Sequence, residues 1–294
     1  MALVVNRLPT SQIASHLGHY DSQQIERRRA SLIGLVVLLF LILVAGNVAE
    51  VDLAKFFRNL GELTSYIARI FYLDNGQSVL TDPVEWFWGW KKWLIHIGDT
   101  LLIAYLGTLI GAAAAFIVCF AASSNLSRNR TSCFVARRVL EFCRTVPELV
   151  FALIFVVAFG LGPMPGVLAI AIHTFGALGK LFAEVVENID MKPVDGTVAT
   201  GGSRWQVIRY AVVPQVLSNF ASYGLLRFEI NVRGASVMGF VGAGGIGQEL
   251  IEAVRKFYYS DVSAILLLII AAVMVIDLVT ERIRNHLIEG TQRR

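Results

Sequence analysis

The sequence predicts an all-α integral membrane protein of about six spanning helices, and three observations predict it. Of the 294 residues, 55% are hydrophobic and only 16% are charged, whereas soluble domains average about 25% charged residues. Mean hydropathy is +0.62. Runs without Asp, Glu, Lys or Arg cover 30–49, 100–127 and 149–179, and each reaches the ~20 residues that a helix rising 1.5 Å per residue needs to cross a bilayer. Disorder is excluded, because it requires low hydrophobicity and high charge. One or two soluble domains, which length alone would allow, do not fit this composition.

Residues 1–29 form a polar tail, helical from Ser22 onward, and Arg27-Arg28-Arg29 precede the first span at 30–49. A cleaved signal peptide has an apolar region of about 7–15 residues followed by a small-residue site. This run is longer and lacks the site, so it reads as an uncleaved span. Over 50–75, Leu53, Phe56, Phe57, Leu60, Leu63, Ile67, Ile70 and Phe71 recur at helical spacing among charged neighbours, the pattern of an interfacial amphipathic helix. Trp86, Trp88, Trp90 and Trp93 follow and read as an aromatic belt before the second span. The remaining spans are placed at 99–121, 138–159, 166–186, 210–230 and 262–281. Gly160 to Gly166, with two prolines and three glycines, breaks the long apolar run into two spans. The Gly-rich segment 234–248 is too short and irregular for a span.

With the N-terminus inside, the cytoplasmic segments 1–29, 123–138, 187–210 and 282–294 hold 15 Lys or Arg, against 8 in the outer segments 50–98, 160–166 and 231–261. This follows the positive-inside rule and places both termini in the cytoplasm. The net charge of +4 therefore reads as membrane orientation, with no nucleic-acid partner. Cys119, Cys133 and Cys143 show no CxxC spacing, so neither a disulfide framework nor a zinc site is expected.

Gly242-Ala243-Gly244-Gly245-Ile246-Gly247 fits G-x-G-x-x-G. A dinucleotide site also needs a preceding strand and an acid about 20 residues on, and this motif lies between spans. Glycines here instead permit close helix contact or a re-entrant backbone of the kind that lines transporter paths. No phosphate-binding P-loop, HExxH or GxSxG is present. No cofactor, metal or catalytic residue is expected.

The stretch Asp195-Gly196-Thr197, with Gly201 and Pro214 after it, resembles the signature loop of ABC importer permeases: Glu-Ala-Ala, three residues, Gly, nine residues, then Ile-x-Leu-Pro. Gly201 and Pro214 keep the spacing. Asp195 replaces Glu, Gly196 and Thr197 replace the alanines, and Ala211 and Val213 replace Ile and Leu. Three further stretches narrow the resemblance: 144–152, 160–163 with 173–181, and 227–235 with 241–247. Together they are similar to the permeases of phosphonate-type ABC importers over residues 95–285. The Gly-rich element alone is also similar to methionine importer permeases.

The resemblance implies a type I ABC importer permease fold in the cell inner membrane. Together with the hydropathy pattern, this divides the chain into the tail 1–29, the segment 30–98 holding the first span, interfacial helix and Trp belt, the permease core 99–285, and the tail 286–294. The resemblance implies that residues 193–214 form two short helices docking into a groove on a separate ATPase, present in two copies. A periplasmic phosphonate-binding protein and a second, identical permease complete the expected assembly. On physical grounds, glycine at 201 permits a sharp bend, and Asp195 is placed to cap or charge a helix N-terminus. An ordinary polar loop is the competing reading.

Charges inside spans cost about 2.5–3.5 kcal/mol at the helix centre and by default face the bundle interior. Arg233, Glu229, His173, Glu148 and Arg227 are therefore candidates for the translocation path. Gly244 and Gly245 would add backbone N–H donors. An Arg fork suits a phosphorus oxyanion. A second reading pairs Glu229 with Arg233, Arg144 with Glu148 and Lys180 with Glu184 at i,i+4. It lets Arg227 snorkel and makes His173 a hydrogen-bonded interior residue. Arg233 ranks first for the path, with Glu148 and His173 behind it.

The expected function is the permease of an ATP-driven importer for phosphonates or related phosphorus oxyanions, making no covalent change itself. The nearest alternative is the same machinery carrying phosphite, a phosphate ester or an amino acid such as methionine. An ion-coupled carrier is favoured by inverted repeats, and an intramembrane enzyme by a convergent acid/base or metal cluster; the sequence offers neither.

Overall fold

The computed structural model describes residues 10–73, 75–127 and 129–292. The described residues are helical apart from turns, connecting loops and one isolated bridge, Tyr72 to Ser78. The start of the expected N-terminal tail and the last two residues lie outside them. Two compact units divide after Ser65.

The first unit holds α1 (Thr10–Val48) and most of α2 (Leu53–Ile70). α1 begins well before the expected Ser22. From Leu32 to Val44 it is apolar on all sides and exposed, as suits a helix surrounded by lipid. α2 is the expected amphipathic helix and buries no residue; Phe56, Phe57, Leu60, Leu63 and Ile67 stay exposed.

The second unit contains α3 (Pro83–Trp86), α4 (Trp90–Ala122), α5 (Arg130–Thr145), α6 (Glu148–Phe159), α7 (Pro163–Glu187), α8 (Lys192–Ala199), α9 (Arg204–Val207), α10 (Val213–Met238), α11 (Ile246–Arg255) and α12 (Tyr259–Gln292). A π turn, Ile208–Val212, joins α9 to α10.

Among the described residues, four helices are long and apolar enough to cross a membrane: Glu26–Val48, Trp90–Ala122, Pro163–Glu187 and Tyr259–Leu287. The other expected spans differ from a straight rod of apolar residues. The segment expected at 138–159 is α5 and α6, bent by 84°. Pro147 lacks an N–H and holds Val146 extended, at φ −71 and ψ 124, so the α5 helix stops there. The 12 residues of α6 reach only about 18 Å. The expected 210–230 span is α10, whose 26 residues suffice in length but carry Arg227, Glu229 and Arg233. The expected break over 160–166 is confined to Gly160–Gly162. Pro163 and Pro165 sit in the first turn of α7, where a missing N–H leaves no hydrogen bond unmade.

Three apolar cores follow one another along α4. Trp93 and Ile97 pack with Ile246, Leu250 and Val262. Ile103 and Ala104 pack with Ile170, Val232 and Met238. Ala115, Cys119 and Phe120 pack with Leu178, Phe182, Val207 and Phe220. α4 and α7 are in close contact through Gly107 and Gly111, a small-xxx-small pair. A Cβ on Gly111 would lie 2.6 Å from the Ala171 carbonyl oxygen and 2.8 Å from Thr174 Cβ. The Trp cluster does more than mark a boundary. Trp93 is buried, and Trp86 Nε1 donates to Ser263 Oγ at 2.9 Å. Trp88 Nε1 donates to Asp261 Oδ1 at 2.9 Å. These rings tie α3 and α4 to the start of α12.

Candidate functional site

At one end of the second unit, residues 187–213 fold back as the two short helices α8 and α9. Asp195 lies in the first turn of α8, where its charge suits the helix dipole. The side-chain bond at the helix start comes instead from Asp190, whose Oδ1 accepts the Lys192 N–H at 3.0 Å. Gly196 faces open space. Thr197 Oγ1 donates to the Pro193 carbonyl at 2.8 Å, and the Thr197 carbonyl accepts from Gly202 N–H at 3.1 Å. Gly201 adopts φ +80, a conformation in which L side chains are strained, and so reverses the chain between the two helices. Ser203 N–H donates to Gln206 Oε1 at 2.7 Å and starts α9. Pro214 occupies the first turn of α10.

This folded loop has two faces. Val194, Val207, Ile208, Ala211 and Val212 are buried in the same core as α4, α7 and α10. Val198, Trp205 and Tyr210 are exposed, Trp205 by 77%. The inner face is welded to the helices and the outer face offers apolar side chains.

A buried polar junction joins α4, α7 and α10 farther along. Asn231 is fully buried, and its Nδ2 donates to Thr108 Oγ1 at 2.7 Å and to Thr174 Oγ1 at 2.9 Å. One turn earlier on α10, Arg227 Nε reaches Thr174 Oγ1 at 3.5 Å, and its guanidinium contacts His173 Nδ1. Glu148, the first residue of α6, lies 3.9 Å from Arg227 Nη2 and 3.8 Å from His173 Nδ1. Three helices thus each supply one member of a Glu148–His173–Arg227 cluster. Gly234 leaves room for the Glu148 carboxylate, which a Cβ there would strike. Arg227 does not snorkel: its side chain is only 13% exposed. The pairing of Arg144 with Glu148 that sequence spacing allows is absent, because the 84° bend separates the two helices.

Glu229 and Arg233 do pair, at 2.5 Å, and Arg233 also reaches Asp277 Oδ2 on α12 at 2.8 Å. Thr280 Oγ1 lies 3.5 Å from Glu229 Oε2. One guanidinium between two carboxylates leaves this cluster net negative. Asn231 Oδ1 and Asp277 Oδ1 are buried acceptors without a hydrogen-bond partner among the described residues.

Gly244 and Gly245 lie in the turn that starts α11, at φ +87 and φ +81. Both are buried. A Cβ on Gly244 would lie 3.0 Å from Pro163 Cα, and one on Gly245 would lie 2.5 Å from Thr100 Oγ1. They bring backbone against packed helices. The segment before them is α10 and a short 3₁₀ turn, Gly239–Val241, not a strand.

Sequence reasoning passed over Thr108, Thr174, Asn231 and Asp277. Asp277 ends the charge-free run 262–276 and so carries the signal of a charge within a span. The hydroxyls and the amide carry none, because only the helix crossing brings them together. Among the described residues, no group of three or more His, Cys, Asp or Glu is placed to hold a metal ion.

Residues 107–293 match the family described as "Binding-protein-dependent transport system inner membrane component". The chain is 35% identical over 271 residues, covering 92% of each protein, to a putative phosphite transport system permease protein, HtxC, of Stutzerimonas stutzeri. It is 42% identical over 200 residues to the phosphite transport system permease protein PtxC of the same organism, covering 68% of this chain and 73% of that one. Among solved structures, an inward-facing MetNI methionine ABC transporter chain aligns with a TM-score of 0.58 at 15% identity, over 70% of this chain and 98% of that one. At that identity the likeness shows the fold: the type I ABC importer permease fold.

Proposed function

Because the chain belongs to the family of binding-protein-dependent transport system inner membrane components, we propose that it carries a small phosphorus oxyanion, of the phosphite or phosphonate class, through the permease of an ATP-driven importer. It is a transport subunit of the inner membrane and not an enzyme. A substrate-binding protein and an ATPase subunit are its partners.

The observation that carries the coupling role is the two-faced loop of α8 and α9. Its exposed Val198, Trp205 and Tyr210 suit a groove on the ATPase. Its buried face shares a core with α4, α7 and α10, so a push on the loop moves helices instead of bending a tether. Close-packed cores switch between discrete arrangements rather than deforming smoothly. In this reading two ATPases drive two identical permeases, both chain termini face the cytoplasm, and residues 99–285 form the moving core.

The substrate class rests on the two phosphite-permease relatives and on two guanidinium groups of α10, Arg227 largely buried and Arg233 about half exposed. Arg227 and Arg233 present planar donor forks that match oxyanion oxygens. Glu148, His173 and Glu229 hold them in place between passages, while Gly244 and Gly245 shape the turn beside the path. Arg227 and its partners carry no net charge when His173 is neutral, so an anion meets less repulsion there than at Arg233. Calorimetry of the cognate binding protein, followed by ATP-driven uptake into vesicles holding the whole complex, tests the reading. Binding of phosphite or a phosphonate is expected. Tight binding of amino acids without any phosphorus oxyanion overturns it.

A further inference from the structure

On α7, His173, Lys180, Glu184 and Glu187 recur at i, i+7, i+11 and i+14, and so fall on one face. Leu178, Phe182 and Val186 bury the opposite face. Lys180 and Glu184 have side chains about half exposed, although they stand on a helix long and apolar enough to span. Charges at such positions face protein or a watered cavity in preference to lipid.

The neighbouring helix supplies the rest of that cavity. α5 crosses α7 at Gly176, where a Cβ would lie 2.5 Å from Arg144 N and 2.7 Å from the Leu140 carbonyl oxygen. Between them is a groove of about 200 Å³ lined by Arg137, Arg138, Glu141, Arg144, Lys180 and Glu184, among others. That is below the ~300–1,000 Å³ of pockets for drug-sized ligands, and it suits a small ion. Its charges are mostly matched: Arg137 with Glu187, Arg138 with Glu141 at 2.5 Å, and Lys180 with Glu184 at 3.4 Å. Arg144 has no carboxylate within ion-pair distance among the described residues. The groove therefore holds one surplus positive charge.

We propose that the α5/α7 groove is a second oxyanion station on the cytoplasmic side, with Arg144 and Lys180 as its ligands, which the cargo occupies after leaving the Glu148–His173–Arg227 cluster. This rests on the reading of the cargo as a phosphorus oxyanion. Free inorganic phosphate at the cytoplasmic face has the same chemistry and competes for the station. An anionic lipid headgroup is the rival occupant.

The test uses the complete complex in vesicles of zwitterionic lipid, with phosphite as cargo and inorganic phosphate titrated on the ATPase side. Phosphate is expected to inhibit the wild-type complex. Arg144→Gln and Lys180→Gln each raise the half-inhibiting concentration about tenfold or more, the loss expected for one charge-assisted hydrogen bond. Arg144→Lys recovers most of it, and Glu184→Gln, which frees Lys180, lowers it. If Arg144→Gln does not assemble, Arg144→Lys and Lys180→Gln carry the comparison. Wild-type phosphate inhibition in variants that still transport overturns the station alone. So does a wild-type complex that phosphate does not inhibit, or one inhibited only when anionic lipid is present. A wild-type complex that moves no phosphorus oxyanion overturns the substrate reading first, and the station with it.

Discussion

The backbone N–H of Ile246 donates to the Thr100 hydroxyl at 2.8 Å, joining positions 146 residues apart. The first donor of α11 is thereby satisfied inside the bundle by α4. The glycine-rich turn before it exists to let this happen, since a side chain at Gly245 would occupy the place of the hydroxyl. A helix start that resembles an anion-binding fingerprint in sequence is here a packing joint.

Thr100→Val removes that acceptor and keeps the shape. A buried N–H left without a partner costs about 1–3 kcal/mol, so the purified complex should unfold in detergent at a lower temperature, with Thr100→Ser near wild type. Equal stability of Thr100→Val and wild type would show that the bond contributes nothing.

Gly201→Val meets no atoms, because the space around Gly201 is open. Its penalty is the left-handed backbone at φ +80, about 1–2 kcal/mol for an L residue. The loop should relax to another shape, with uptake and substrate-stimulated ATP hydrolysis lost in a chain that still inserts. Gly201→Asn should be milder, since Asn tolerates that conformation. Normal coupled transport by Gly201→Val would remove the bend from the mechanism.

Arg233→Ala leaves Glu229 and Asp277 facing each other without their shared cation. Uptake should fall at least several-fold, and adding Asp277→Asn should recover complex yield without recovering uptake. Removing one partner of a fully buried pair costs about 3–5 kcal/mol; with Arg233 48% exposed, solvent screening makes the cost smaller. Unchanged uptake across a range of cargo concentrations would make Arg233 a structural residue.

Two glycines on α4 provide a contrast in packing. Gly111→Ala puts a methyl group against the Ala171 carbonyl and must push α4 from α7, so lower yield and stability are expected. Gly98→Ala meets nothing within 4 Å and should stabilise by up to ~1 kcal/mol through helix propensity. Thermal unfolding of the two variants side by side decides the matter, and equal effects would count against the tight α4/α7 contact.

Much of the molecule is written locally. Apolar runs of spanning length and the spacing of Gly201 and Pro214 are properties of consecutive residues, so the sequence by itself determined a helical membrane permease and placed a bend at Gly201. The amphipathic stripe of α2 and the first-turn position of Pro163 are likewise set by nearest neighbours. Tertiary structure decided which charges meet. Sequence spacing offered Arg144 as the partner of Glu148, yet i,i+4 geometry holds only within one continuous helix, and Pro147 ends that helix between them. The bend turns Glu148 toward Arg227 and His173 on two other helices and leaves Arg144 to the α5/α7 groove. Arg233 found Asp277, and Asn231 found Thr108 and Thr174, for the same reason. Contacts between helices depend on crossing angle and closeness of approach, which no single helix encodes.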